Sequence, residues 1–342
     1  MALSQVGLER LNTATTNKIG ERKNLVINGQ FDIWQRGTDS GSNTNDGVLA
    51  CDRWMLASSG ATKQVTRQTF AVGQTDVPSN PKYFLRYAVT TGNNNAALRQ
   101  RIEGVGRVQG TVTLTFYAKG TNPGGGTFNI TNRQDFGTGG SSSSVVDTGV
   151  GDFTVTASWA KKTFTFTPPS ISGKTLGTNN NDYYELEIFR QPAGDTSTAA
   201  YTIDIANVQL EVGSVSTDFE HRSFAQELEL CQRYYFKMTA DDDGNSMFGA
   251  GWANAANQCI GIIHFPQSLR DAPSAIETTG SASDYRVNEF GANHTASGGP
   301  TFSTATKNTS TVYFTVSSIT AGRPLFLRAV NSNAFLAWSA EL

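Results

Sequence analysis

The side chains with most chemistry to offer are aromatic rings set among amides. Trp252 lies in Gly249-Ala-Gly-Trp-Ala-Asn-Ala-Ala-Asn257, a run of small residues that leaves the indole room to be exposed, with Asn254 and Asn257 beside it. Tyr183 and Tyr184 follow the amide-rich turn Asn179 to Asp182, and Asn293 and His294 sit in the stretch 291–299, which is rich in Gly and small polar residues. An exposed indole or phenol offers flat apolar area to the face of a sugar ring while neighbouring amides bond its hydroxyls. Trp252, Asn254, Asn257, Asn293, His294, Tyr183 and Tyr184 are therefore the candidate ligand-binding residues. Packing is the alternative for Trp252, and a plain strand start is the alternative for the tyrosines. Trp34 and Trp54, embedded in strand-like segments, read as core.

Other chemistries find little material. Glycoside hydrolysis needs two carboxyls held roughly 5 to 9.5 Å apart across one bond. Glu185 and Glu187 alternate with Leu186 and Ile188, so they share one strand face and read as its wet side. Ser141 to Ser144 has no GxSxG elbow. The Gly-rich loops lack the Lys of a phosphate cradle. His221, His264 and His294 form no HxH or HExxH pattern, and Cys51, Cys231 and Cys259 form no CxxC. Asp241-Asp-Asp-Gly-Asn245 resembles half of a calcium loop, but Ala250 stands where the closing Glu belongs, so it reads as a solvated turn. No catalytic residue is assigned, and the chain is expected not to be an enzyme.

The elements that would hold these side chains are strands. Of 342 residues, 95 are Thr, Ser or Asn, whereas only 16% are charged. The surface is thus built from hydroxyls and amides, and its β-branched character disfavours long helices. Twenty-seven basic and 29 acidic residues leave a formal charge of −2, which argues against bulk electrostatic binding of nucleic acid. No segment approaches the ~20 apolar residues of a membrane span, so membrane insertion is not expected. The odd cysteine set fits folding in a reducing cytosol without disulfides.

Two-residue alternation marks strands at Thr111 to Tyr117, Thr163 to Thr167, Tyr184 to Phe189 and Tyr201 to Ile205, joined by loops of low complexity. Ser223 to Phe236 breaks the pattern. Ser223 and Gln226 form a capping box, and Phe224, Leu228, Cys231 and Tyr235 fall on one helical face. Strands resume at Cys259 to Phe265, Ser310 to Val316, Pro324 to Val330 and Ala334 to Trp338. The spacing predicts an all-β chain: an N-terminal docking segment (1–23), a jelly-roll β-sandwich (24–221), a linking helix (222–236) and a second, smaller β-sandwich domain (237–342).

Four stretches carry a resemblance: Asn24-Leu-Val-Ile-Asn-Gly-Gln-Phe-Asp-Ile-Trp-Gln-Arg-Gly37, Asp52-Arg-Trp54, Ile205-Ala-Asn-Val-Gln-Leu-Glu-Val-Gly213 and Glu227-Leu-Glu-Leu-Cys-Gln-Arg-Tyr-Tyr235, with the ending Ala340-Glu-Leu342. Together they resemble tail-fibre or receptor-binding proteins of tailed bacteriophages. The first and third also look like the first and last strands of carbohydrate-binding modules with a jelly-roll fold. The resemblance implies a homotrimer in the virion, docked on other virion proteins through residues 1–23 and adhering to host cell-surface glycan. It implies no required cofactor; a structural calcium is the optional ion, with Asp32 and Asp204 at the resembling positions, and the alternative is that two carboxylates supply too few ligands for it. The helix residues Glu227, Cys231, Gln232, Arg233 and Tyr234 would be structural. A capsid decoration or head-fibre protein is the alternative, and a glycan depolymerase a second one. Recognition is expected in the C-terminal domain, around Trp252.

Overall fold

The computed structural model describes residues 23–49, 51–57, 60–91, 96–122, 126–190, 200–241 and 246–342. The expected docking segment, apart from Lys23, and residues 242–245 of the acidic turn lie outside this set. The chain divides into two compact units. The first comprises the described residues within 1–32, 38–50 and 54–222; the second comprises those within 33–37, 51–53 and 223–342. The expected body 24–221 thus contributes two short segments, Ile33–Gly37 and Cys51–Arg53, to the second unit. Their side chains explain this: Gln35 donates its amide to the Tyr235 carbonyl at 2.8 Å, and Arg36 lies 3.5 Å from the centre of the Tyr235 ring.

In the first unit the chain forms β1 (Val48–Leu49), β2 (Met55–Ala57), β3 (Thr62–Thr69), β4 (Tyr83–Thr91), β5 (Ala97–Glu103), β6 (Val112–Gly120), β7 (Phe128–Asp135), β8 (Val146–Phe153), β9 (Ala160–Phe166), β10 (Tyr183–Arg190) and β11 (Tyr201–Val212). They build a six-stranded sheet, β1-β2-β5-β10-β7-β8, and a five-stranded sheet, β3-β4-β11-β6-β9, with antiparallel pairing throughout. The alternation that predicted the strands also places the core. Leu98, Ile102, Tyr184, Leu186, Ile188 and Phe128 are buried on the first sheet, and Tyr87, Phe116, Ile203 and Ile205 on the second. Rings meet across the gap, Phe128 on Tyr201 at 5.4 Å and Phe116 on Phe153 at 5.3 Å.

The opening motif is tied to this sandwich through its amides. Asn24 donates to the Val208 carbonyl at 2.9 Å and accepts from the Leu210 amide at 3.1 Å, and Gln100 bonds both the amide and the carbonyl of Ile27 at 2.8 Å. Backbone bonds with β11 complete the attachment, the Leu25 amide donating to the Leu210 carbonyl at 2.9 Å and the Val208 amide to the Gly29 carbonyl at 2.8 Å.

In the second unit β12 (Tyr235–Thr239), β13 (Met247–Ala255), β14 (Gln258–His264), β15 (Glu277–Thr278), β16 (Tyr285–Glu289), β17 (Ala292–Thr295), β18 (Thr301–Ala305), β19 (Thr309–Thr315), β20 (Pro324–Ala329) and β21 (Phe335–Ser339) form a three-stranded sheet, β12-β21-β15, and a seven-stranded one, β17-β16-β20-β13-β14-β19-β18. Trp338 lies at the core with Phe236 and Phe265, and its indole donates to Ser310 Oγ at 3.0 Å. The all-β class, with a jelly-roll sandwich and a second, smaller β-sandwich, is the fold observed.

The helix α1 (Phe224–Gln232) is shorter than the pattern Ser223 to Phe236 predicts, because Tyr235 already pairs with Ser339 in the sheet. Its capping box between Ser223 and Gln226 forms as expected. Cys231 is fully buried, but Phe224 is 63% exposed, so the apolar stripe is incomplete. No helix among the described residues is long and apolar enough to cross a membrane.

Candidate functional site

Two sheet faces carry the candidate residues, one in each unit. In the first unit, β10 turns Tyr184, Leu186 and Ile188 inward and Tyr183, Glu185 and Glu187 outward. Tyr184 is therefore corrected from candidate ligand residue to core: it is fully buried among apolar side chains, and burial pushes its phenol pKa up. Tyr183 joins a polar face that spans four neighbouring strands. One cross-strand row runs Arg101–Glu185–Arg133–Asp147, and the next runs Arg99–Glu187–Thr131.

These side chains hold one another in place. Arg101 Nε donates to Glu185 Oε2 at 2.7 Å, and its guanidinium lies over the Tyr183 ring at 4.4 Å. Arg99 Nε stands 3.7 Å from the same carboxylate, and its NH2 donates to Asp46 at 3.2 Å. Arg133 grips Asp147 with two bonds of 2.7 and 3.0 Å, which raises its pKa further above the usual guanidinium range. Thr131 Oγ1 donates to Glu187 Oε2 at 2.7 Å. Glu185 is only 1% exposed, whereas Asp147 and Arg133 are open to solvent at the margin. Burial pushes the Tyr183 phenol up, against the opposing pull of Arg101. Fixed on a sheet rather than on loops, the rows offer planar donors and acceptors, while Tyr183, only 8% exposed, lies beneath Arg101.

The strand alternation had shown that Glu185 and Glu187 share a face. It left out their partners, because Arg99, Arg101, Thr131 and Arg133 lie on strands recognised only once the register is known. Their signal was present in Leu98-Arg-Gln-Arg-Ile102 and Phe128-Asn-Ile-Thr-Asn-Arg-Gln-Asp135, both of which alternate.

In the second unit, Trp252 on β13 is 42% exposed and points away from the core. Asn254 is exposed two residues further on and donates to Gln258 Oε1 at 2.8 Å. Asn257 is exposed in the β13–β14 turn, where its carbonyl accepts from the Val316 amide at 3.0 Å. Asn293 lies opposite Asn288, which in turn lies opposite Phe326, so it shares the outer face with Trp252. His294 pairs with Val287, whose side chain is in the core, and stands 3.7 Å from Glu289. The structure thus brings Trp252 and Asn293 to one face and turns His294 to the other.

A structural calcium does not fit the carboxylates proposed for it. Both oxygens of the buried Asp204 are taken by Arg86, Nε at 2.7 Å and NH2 at 2.9 Å, with Lys119 at 3.9 Å. A guanidinium in that place satisfies the carboxylate that the ion would need. Asp32 lies in the loop that follows the opening motif, and no group of three or more potential metal-ligating His, Cys, Asp or Glu occurs among the described residues.

No protein-family model matches the chain, and no curated protein is similar to it. Among solved structures, it is similar to the enzymatically active domain of bacteriophage CBA120 tailspike protein 4, at 17% identity and a TM-score of 0.32, over 55% of this chain and 21% of that one. It is similar to the CBM22-1-GH10 modules of Clostridium thermocellum xylanase 10B complexed with xylohexaose, at 11% identity and a TM-score of 0.33, over 58% of this chain and 30% of that one. The family 11 carbohydrate-binding module of Clostridium thermocellum, in complex with a mixed-linked tetrasaccharide, gives 11% identity and a TM-score of 0.28, over 52% of this chain and 98% of that one. The chain therefore spans less than a third of the first two structures. What it does is decided by its own side chains.

Proposed function

We propose that the chain is a non-enzymatic virion component of the tail-fibre or receptor-binding kind, a homotrimer that docks through residues 1–23 and adheres to host-surface glycan. The observation that carries the glycan part is the polar face of the six-stranded sheet. Vicinal hydroxyls of a sugar are bonded well by planar, two-atom groups such as carboxylates and guanidiniums. Because Arg101 and Arg133 are already neutralised by Glu185 and Asp147, the face suits an uncharged polyhydroxyl ligand better than a free anion. Weak contacts of this kind hold a particle when several copies act together. The four stretches that resemble phage fibre proteins support the virion setting.

The test is binding of the purified full chain to host cells and to a panel of glycans, compared with Arg101→Ala and Glu187→Ala. Loss of adhesion in both variants with unchanged circular dichroism supports the reading. Adhesion equal to the parent overturns it, and hydrolysis of a bound glycan would move the chain to the depolymerase class.

A further inference from the structure

The outer face of the five-stranded sheet differs in charge from the polar face of its partner sheet. Register sets Thr66, Arg86, Asp204 and Lys119 side by side on β3, β4, β11 and β6, while the neighbouring Tyr87, Ile203 and Ala118 turn to the core. On the six-stranded sheet every arginine of the rows stands by a carboxylate, Arg99 and Arg101 by Glu185 and Arg133 by Asp147. On the five-stranded sheet two cations share one acid. Arg86 takes both oxygens of Asp204, at 2.7 and 2.9 Å, so Lys119, with Nζ 3.9 Å from Asp204 Oδ2, is left without a hydrogen-bond acceptor among the described residues. The Arg86 side chain is 40% exposed and that of Lys119 30%, with Asp204 buried beneath them. In the adjacent row the Tyr117 phenol feels the Asp218 carboxylate, and Lys161 opposite Tyr117 supplies the compensating charge. One positive charge therefore stands in excess at Lys119.

An aromatic ring lies against this charge. Lys119 Nζ stands 5.0 Å from the centre of the Trp159 ring and 5.7 Å from that of Phe84, and Phe84 meets Trp159 edge-on at 5.3 Å. Phe84 is buried, but Trp159 is half-buried, so the indole keeps an open part beside the ammonium. A lysine held over rings stays charged while losing part of its water, and it gains more from a nearby anion than a fully hydrated lysine does.

We propose that Arg86, Lys119 and Trp159 form a second glycan subsite, which takes an acidic sugar by its carboxylate. This goes beyond the neutral ligand assigned to the six-stranded sheet and does not depend on it. Charge selects the occupant. A carboxylate in front of the trio accepts from Lys119 and from the Arg86 N–H groups that Asp204 leaves free, and it turns an excess cation into a neutral set of two cations and two carboxylates. The ring then separates a sugar from a plain anion. An inorganic ion uses the two cations alone, whereas a uronate also lays apolar ring area on the indole.

The experiment is calorimetry of the full chain with a soluble oligogalacturonate and with its uncharged methyl ester, in low and high salt, for the parent, Lys119→Gln and Lys119→Arg. The parent is expected to bind the acid in preference to the ester and to lose affinity as salt rises. Lys119→Gln is expected to bind the acid about tenfold or more weakly and to show a flatter salt dependence, whereas Lys119→Arg, which keeps the charge, retains the binding. Circular dichroism equal to the parent's is expected for both variants. A parent that binds the ester as well as the acid, or Lys119→Gln that binds the acid like the parent, overturns the assignment. Inorganic phosphate that binds as tightly as the oligogalacturonate overturns it as well, since the site would then read charge without a sugar. A parent with no affinity for oligogalacturonate also overturns it, and leaves the neutral ligand of the six-stranded sheet to its own test with Arg101→Ala and Glu187→Ala.

Discussion

Arg53 lays its guanidinium on Tyr234, with Cζ 3.5 Å from the ring centre, while its NH1 donates to the Glu341 carboxylate. Arg36 repeats the arrangement on Tyr235, reaching the other Glu341 oxygen at 3.5 Å, and Arg270 holds the carbonyls of Ala340 and Glu341 at 2.9 and 3.2 Å. Three of the motif stretches and the chain ending therefore meet in one cluster of the second unit. Arg53 even adopts a left-handed φ of 71°, a conformation that a long side chain enters only when its contacts require it.

Removing one partner of a buried ion pair leaves the other charge unpaired, at a cost of about 3 to 5 kcal/mol. Glu341→Gln is expected to destabilise the second unit by the low end of this range, and Arg53→Lys, which keeps the charge but loses the planar stacking, by less. Hydrogen exchange of β12 and β21 in the full chain reads this out. Exchange unchanged from the parent in Glu341→Gln would show that the cluster contributes nothing.

Gly29 sits in the opening motif where a Cβ would lie 2.1 Å from the Val208 carbonyl oxygen, and its own carbonyl accepts from the Val208 amide at 2.8 Å. Backbone cannot move aside as a side chain can. Gly29→Ala is expected to cost about 1 to 3 kcal/mol and to lower Tm by roughly 5 °C. Gly149→Ala is the control, since nothing lies within 4 Å of the added Cβ. Equal melting curves for the two variants would refute the close-approach account.

The strands were legible because alternation is a local property, and Tyr183–Arg190 and Pro324–Ala329 appear within a residue or so of the pattern. Which face of a strand matters was not legible, because that depends on the partner strands. Tyr184 and Tyr183 look equivalent in sequence, yet one is core and the other lies under Arg101. The small neighbours of Trp252 leave exposure and packing equally open in the sequence; that the side chain is exposed, in the company of Ile260, Ile262 and Phe326, comes from register across three strands. The capture of Ile33–Gly37 and Cys51–Arg53 by the second unit had no local signal, since it rests on ring and carboxylate contacts nearly 200 to 300 positions away.

Cys51, Cys231 and Cys259 are free and buried. Burial pushes the Cys231 thiol well up and the Cys259 thiol up to about 12, from an ordinary value of 9.0. The folded state thus keeps a proton that the unfolded state loses, so this contribution is present below pH 9 and lost as pH rises toward about 12. Native protein at pH 8 should resist a thiol reagent, label fully in denaturant, and melt at the same temperature with or without reductant. Cys259→Ala should flatten its share of the alkaline loss of stability. A Tm that drops on reduction would reveal a disulfide.

The polar face of the six-stranded sheet makes the sharpest functional prediction. Glu187 accepts from Thr131 at 2.7 Å and faces solvent in part, so its carboxylate lies within reach of a ligand hydroxyl. Hydrogen bonds to a charged group contribute about 1.5 to 3 kcal/mol, which corresponds to a loss of about tenfold or more in single-site affinity for Glu187→Ala. Arg101→Ala should be worse, because it also frees the buried Glu185 and uncovers Tyr183. Across several copies the losses compound, and cell adhesion should fall more steeply than affinity for a short soluble oligosaccharide. Added salt should leave affinity for an uncharged glycan nearly constant, since the ion pairs on the face are internal to the protein. Calorimetry with soluble oligosaccharide in low and high salt, on parent and both variants, checks each step. Binding that survives Arg101→Ala, or that collapses in salt for the parent, would place the glycan elsewhere or make it an anion.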